Sequence, residues 1–91
     1  MTSSLQKTVE IRNSRGLHAR AAAKFVRLVE EMGAQVTVSK DGLSVTGASI
    51  MGLLTLSASI NTKICIAASG PRAAETLNAL TCLVERRFDE E

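Results

Sequence analysis

The dipeptide Asp41-Gly42 constrains the fold of this chain more than any other pair of residues, because Asp-Gly between two alternating segments is a strong short-range signal for a tight hairpin. Before it, Val36 and Val38 alternate with Gln35, Thr37 and Ser39; after it, a strand runs from Leu43 to Thr46. A hairpin with one apolar face needs a layer to cover that face, and the rest of the chain supplies it.

Upstream, Gln6 to Arg12 alternates, with Val9 and Ile11 on one face and Thr8, Glu10 and Arg12 on the other, as in a half-buried strand. Asn13-Ser14-Arg15-Gly16 is turn chemistry, and a helix begins near His18 or Ala19. Ala22, Phe25, Val26, Val29 and Met32 form its apolar stripe, and Gly33 is its stop. Downstream of the hairpin, Ser49 is a good N-cap for the short apolar helix Ile50 to Leu56, which is too apolar on several sides to be fully covered. A fourth strand, Lys63 to Ala68, puts Ile64, Ile66 and Ala68 on one face and Cys65 and Ala67 on the open one. Gly70-Pro71 starts a last helix, with the proline in its first turn and a buried stripe of Ala73, Leu77, Leu80, Val84 and Phe88. Asp89-Glu90-Glu91 is expected to fray. The element order βαββαβα implies an α+β fold of two layers, and at 91 residues the chain makes one domain, 1–91, with one modest core.

Charge and cysteine usage exclude several roles. A net charge of +2 with only two phenylalanines as aromatics offers no stacking platform for single-stranded nucleic acid. Cys65 and Cys82 are too few and too scattered to form a metal site with His18, and they read as reduced thiols. The start of the chain lacks a basic region followed by an apolar run, and no stretch approaches the roughly 18 apolar residues of a membrane span. A soluble, cytoplasmic, monomeric protein with no membrane insertion, no metal and no cofactor is expected.

Chemistry concentrates at Gly16-Leu17-His18-Ala19-Arg20, which sets the only histidine of the chain at a helix mouth. Free backbone amides there favour an anion, and Arg20 adds a planar fork of donors suited to phosphate oxygens. A lone histidine before a helix also serves as an ordinary surface or capping residue, Gly16 as an ordinary turn glycine, and Arg20 as a solvated helix charge. Histidine is partly unprotonated near neutral pH, as a transferable phosphoryl group requires of its acceptor. One arginine with helix-end amides would stabilise the product only moderately, so that loading and release both remain feasible.

Gly16-Leu17-His18-Ala19-Arg20 together with Ser49-Ile50-Met51-Gly52-Leu53 resembles the histidine-containing phosphocarrier family HPr of the bacterial phosphotransferase system, over nearly the whole chain. The resemblance implies an open-faced two-layer β-sandwich, with a four-stranded antiparallel sheet in order 1-4-2-3 covered on one face by three helices. It implies a stoichiometric phosphoryl carrier, not a turnover enzyme. Enzyme I, charged from phosphoenolpyruvate, is the donor and Enzyme IIA-type proteins are the acceptors. By motif, His18 is the acceptor through Nδ1 and Arg20 stabilises the phosphate. Ser49 matches a regulatory serine read by an HPr serine kinase/phosphorylase, although its N-cap role explains a serine there without any kinase. Ile50, Met51 and Leu54 match a partner-docking patch, with core packing as the alternative for each. The family commonly has proline where Ala21 stands, and alanine simply propagates the helix. Three rivals remain: a nitrogen-branch regulatory phosphocarrier; a small phosphatase, for which Arg15-Gly16-Leu17-His18 lacks a second histidine; and an anion-binding regulatory domain, which has no need of the motif around Ser49.

Overall fold

Among residues 4–90, which the computed structural model describes, the alternating segments form four strands and the helical stripes form three α-helices. In chain order these are β1 (Ser4–Glu10), α1 (Ala19–Met32), β2 (Gln35–Lys40), β3 (Leu43–Thr46), α2 (Ile50–Leu54), β4 (Lys63–Ser69) and α3 (Ala73–Glu85), followed by one 3-10 turn, Arg87–Asp89. The hairpin closes at Asp41-Gly42 with φ of 51° and 84°, the left-handed pair that lets a two-residue turn follow the twist of its strands. All pairings are antiparallel and the strand order is β1-β4-β2-β3, as the resemblance implied.

Period-2 alternation sorts the two faces of the sheet. Val9, Val36, Val38, Ile64, Ile66 and Ala68 are buried in one cluster with Phe25, Val29, Leu53, Leu80 and Val84 from the helices. Thr8 and Thr37 are exposed on the other face, and Cys65 lies there half-buried with its thiol 3.3 Å from Gln6 Oε1. Helix α3 packs on β1 and β4, while α1 packs against α2 and α3. Strand β1 begins two residues earlier than the alternation indicates, because Ser4 and Leu5 pair with Ser69 and Ala68. It also ends earlier, although Ile11 keeps backbone bonds to Asn61 and Thr62 and is fully buried.

Four expectations for the second half of the chain need correction. Helix α2 stops at Leu54, and Leu56 is buried from the turn that follows. Pro71 lies in the turn before α3 and not in its first turn, because Arg72 is the N-cap and adopts φ 64°. The buried face of α3 also includes Thr76 and Leu83, while Ala73 is only half-buried. Most consequentially, α3 ends at Glu85, so Phe88 does not continue its stripe. Arg87, Phe88 and Asp89 take φ of 60°, 53° and 59°, and this left-handed reversal returns Phe88 to the core with no exposed surface. At about 1–2 kcal/mol each, the three non-glycine residues cost about 3–6 kcal/mol together, and burial of the phenylalanine side chain, worth about 1.5–3 kcal/mol, offsets part of it.

Candidate functional site

The turn before α1 is pinned from two sides. The Leu17 N–H donates to Ala58 O at 2.8 Å, and Gly16, at φ 67°, sits so close to the same segment that an added Cβ would lie 2.5 Å from Ala58 O. Any side chain at position 16 is therefore excluded by fixed backbone as well as by its own conformation. Asn13, fully buried, closes the turn with Nδ2 donating to Gly16 O at 2.7 Å. His18 follows as the N-cap of α1 in extended conformation, and its side chain makes no capping bond. The imidazole is thus free to face elsewhere. It turns to the far end of the chain, where Nε2 pairs with Glu90 Oε2.

Glu90 is held as firmly as the histidine. Its Oε1 accepts from Asn13 Nδ2 at 2.9 Å, Lys24 Nζ donates to Phe88 O at 2.6 Å, and the Arg86 guanidinium holds Asp89 at 3.0 Å. The His18 and Glu90 side chains keep only 17% and 13% of their surface exposed. Burial pushes the Glu90 carboxyl upward. The hydrogen bonds from Asn13 and His18 and the charges of His18 and Arg15 outweigh it, so Glu90 titrates below the ordinary carboxylate value. The expectation of a frayed tail therefore fails at Asp89 and Glu90, because Phe88 anchors the segment and both carboxylates find partners; Glu91 lies outside the described residues.

Beside this pair opens a cleft of about 420 Å³ lined by Ser14, Arg15, Arg20, Lys24, Asp89 and Glu90. Three cations and two carboxylates give it a net charge of +1, so the single arginine inferred from the motif is joined by Arg15 and Lys24. Arg20 is exposed on the cleft wall. Ala21, at the family's proline position, is fully buried. Among the described residues no group of three or more His, Cys, Asp or Glu side chains is placed to hold a metal, and no helix is long and apolar enough to cross a membrane. Cys82 is exposed on α3.

The second motif forms as a helix start. Ser49 Oγ accepts from the Gly52 N–H at 3.0 Å, which makes the serine an N-cap of α2. Met51 is 74% exposed and Ile50 38%, whereas Leu54 is half-buried against the core. The apolar surface here is thus narrower than the three residues named from the motif. Asn13, Lys24 and Glu90 carried no local sequence signal for the site. Asn13 reads as a turn residue, Lys24 as a surface charge, and Glu90 joins the site only through the left-handed reversal.

The sequence model described as "PTS HPr component phosphorylation site" matches residues 5–86. The phosphocarrier protein HPr of Cupriavidus necator is 40% identical over 86 residues, covering 94% of this chain and 97% of that one. The phosphocarrier protein NPr of Shewanella violacea is 37% identical over 86 residues, covering 94% of each. Among solved structures, HPr of Thermoanaerobacter tengcongensis superposes with a TM-score of 0.91 at 39% identity, covering 96% of this chain and 98% of that one. With its sheet order, its histidine at the mouth of α1 and this agreement along nearly its whole length, the chain belongs to the HPr family of phosphocarrier proteins of the bacterial phosphotransferase system.

Proposed function

We propose that the chain is a phosphoryl carrier of the sugar phosphotransferase system, taking a phosphoryl group from Enzyme I onto His18 and passing it to Enzyme IIA-type acceptors in the cytoplasm as a monomer. The observation that carries this reading is the placement of His18: an imidazole at the N-terminus of α1, spared from capping, beside a cleft of net charge +1. Arg20 is the phosphate-stabilising residue of that reading, supported by Arg15 and Lys24, which line the same cleft. The balance of charge suits a carrier. Enough positive field exists to receive a dianion, and the two carboxylates keep it from being trapped.

Ile50 and Met51 form the exposed part of the partner-docking surface, while Leu54 on the same short helix is half-buried against the core. Ser49 is a regulatory phosphorylation site in this reading, served by a serine kinase/phosphorylase. A phosphate there would sit at the start of α2, which tolerates an anion, while placing a charge in the middle of the docking surface.

Incubation with Enzyme I and labelled phosphoenolpyruvate tests the proposal. Acid-labile, alkali-stable label on the wild type and none on His18→Ala is the expected result; an acid-labile label on His18→Ala refutes it, since no other histidine exists. The 37% identity to an NPr keeps a nitrogen-branch carrier as the second reading. Parallel loading from the sugar-branch and nitrogen-branch donors separates the two, with the faster donor naming the branch.

A further inference from the structure

We propose that Glu90 is the positioning residue that decides which nitrogen of His18 acts as the nucleophile. The inference rests on the phosphoryl-carrier reading and deepens it. Glu90 lies beyond residues 5–86, the part that the family's sequence model matches, and its role rests on the geometry of this chain.

An ionised carboxylate accepts hydrogen bonds and donates none. Both oxygens of Glu90 are engaged, Oε1 by the Asn13 amide and Oε2 by His18 Nε2. A neutral imidazole in this position must carry its hydrogen on Nε2, and the lone pair is left on Nδ1. The arrangement cannot drift, because one buried amide, Asn13 Nδ2, ties the turn before His18 and the Glu90 carboxylate together, at 2.7 Å from Gly16 O and 2.9 Å from Oε1. Phe88, buried two residues upstream, and the bond from Lys24 to its carbonyl fix the segment from below.

The same contact governs charge during transfer. As Nδ1 attacks the phosphorus of a donor phosphohistidine, a new N–P bond forms, the donor's N–P bond breaks, and its electron pair leaves with the donor imidazole. The proton on Nε2 stays in place, so the His18 ring becomes cationic, and that charge develops directly against the Glu90 carboxylate. Onward transfer reverses these changes and returns the ring to neutrality. The other charged groups around this contact are Arg15 in the turn, Arg20 and Lys24 on α1, and Asp89 beside Glu90.

Ring nitrogen NMR on uniformly labelled protein above the histidine titration range, combined with loading rates from Enzyme I and phosphoenolpyruvate, tests the proposal in wild type, Glu90→Ala and Glu90→Gln. The wild type should hold its proton on Nε2. The glutamine variant is the sharper probe, because one amide oxygen has to serve two donors. With that oxygen on Asn13, the NH2 group faces Nε2 and drives the ring proton to Nδ1, where it blocks the nucleophile. Loading should fall about 10- to 100-fold in Glu90→Ala, the worth of one charge-assisted hydrogen bond, and at least as far in Glu90→Gln. Thermal melts accompany both, and the near-isosteric glutamine variant carries the test if the alanine variant does not fold. A proton that stays on Nε2 in Glu90→Gln, with both variants loading within twofold of wild type, overturns the proposal. A wild type that is not loaded at all refutes the carrier reading, and the ring spectra alone then decide whether Glu90 sets the tautomer.

Discussion

Replacing Gly16 with alanine tests how tightly the turn before His18 is locked to the rest of the molecule. Two costs arise. The backbone at φ 67° is one that an L-residue adopts at about 1–2 kcal/mol. The new Cβ would also lie 2.5 Å from Ala58 O and 2.9 Å from Ser59 Cα, both backbone atoms that cannot rotate away, and forced overpacking of this kind costs about 1–3 kcal/mol. The sum, about 2–5 kcal/mol, is a large part of the roughly 5–14 kcal/mol expected for a domain of this length. At about 4–8 °C per kcal/mol, Gly16→Ala should melt at least about 8 °C below wild type in a calorimetric or circular dichroism scan at neutral pH. Gly42→Ala supplies the control. Its φ of 84° is as unfavourable to a side chain, yet nothing lies within 4 Å of the added Cβ, so only the conformational cost applies. If the two variants lose the same melting temperature, the clash with Ala58 and Ser59 contributes nothing and the reasoning is refuted.

Four further outcomes are expected. Ser49→Ala should lose about 1 kcal/mol in chemical denaturation, the usual worth of an N-cap. Ser49→Asp, which retains a capping oxygen, should keep wild-type stability and load His18 more slowly; an unchanged loading rate would leave the serine as a cap only. Met51→Lys should melt like wild type, since the side chain is 74% exposed, while a kinetic assay at limiting carrier shows weaker use by Enzyme I. The Glu90 carboxyl is held below its ordinary value, so its contribution to stability is present above the unfolded pKa of about 4.5 and is lost as pH falls through the lower folded value. The melting-temperature advantage of wild type over Glu90→Gln should therefore shrink as pH is lowered from 6 to 3, and an advantage that grows would contradict the assignment.

Most of the fold is legible in the sequence, because each element advertises itself with its own physics. Asp41-Gly42 names a turn that needs two positive φ angles, the Val36/Val38 and Ile64/Ile66 alternations name sheet faces, and Ser49 occupies the one place where its hydroxyl satisfies a helix amide. Strand order does not follow from periodicity and came from the family resemblance. What the sequence hides is the last turn. Continuing the α3 stripe does bring Phe88 into the core, but along the wrong path, because Arg87 and Phe88 are not residues that announce a left-handed backbone and Asp89, with no glycine after it, is a weak signal by itself. The site was legible to the same degree: His18 and Arg20 sit in a contiguous motif, while Glu90 reaches His18 only through tertiary structure, where no local rule applies.

That last turn also bears on the order in which the molecule assembles. The contact between His18 and Glu90 closes a span of 72 residues, and that between Asn13 and Glu90 one of 77. Contacts of such sequence separation carry a larger loop-closure cost than those within a helix or the Asp41-Gly42 hairpin and are expected to form after them, an order that φ-value analysis of Glu90→Gln would check. A chain still being made, or one whose final segment has transiently undocked, has the histidine but not its fixed orientation. Amide exchange should find residues 86–90 opening more readily than the central strands, and each opening would release the ring to rotate. The orientation of the His18 ring is in this way coupled to docking of residues 86–90, with the left-handed turn after α3 acting on the mouth of α1.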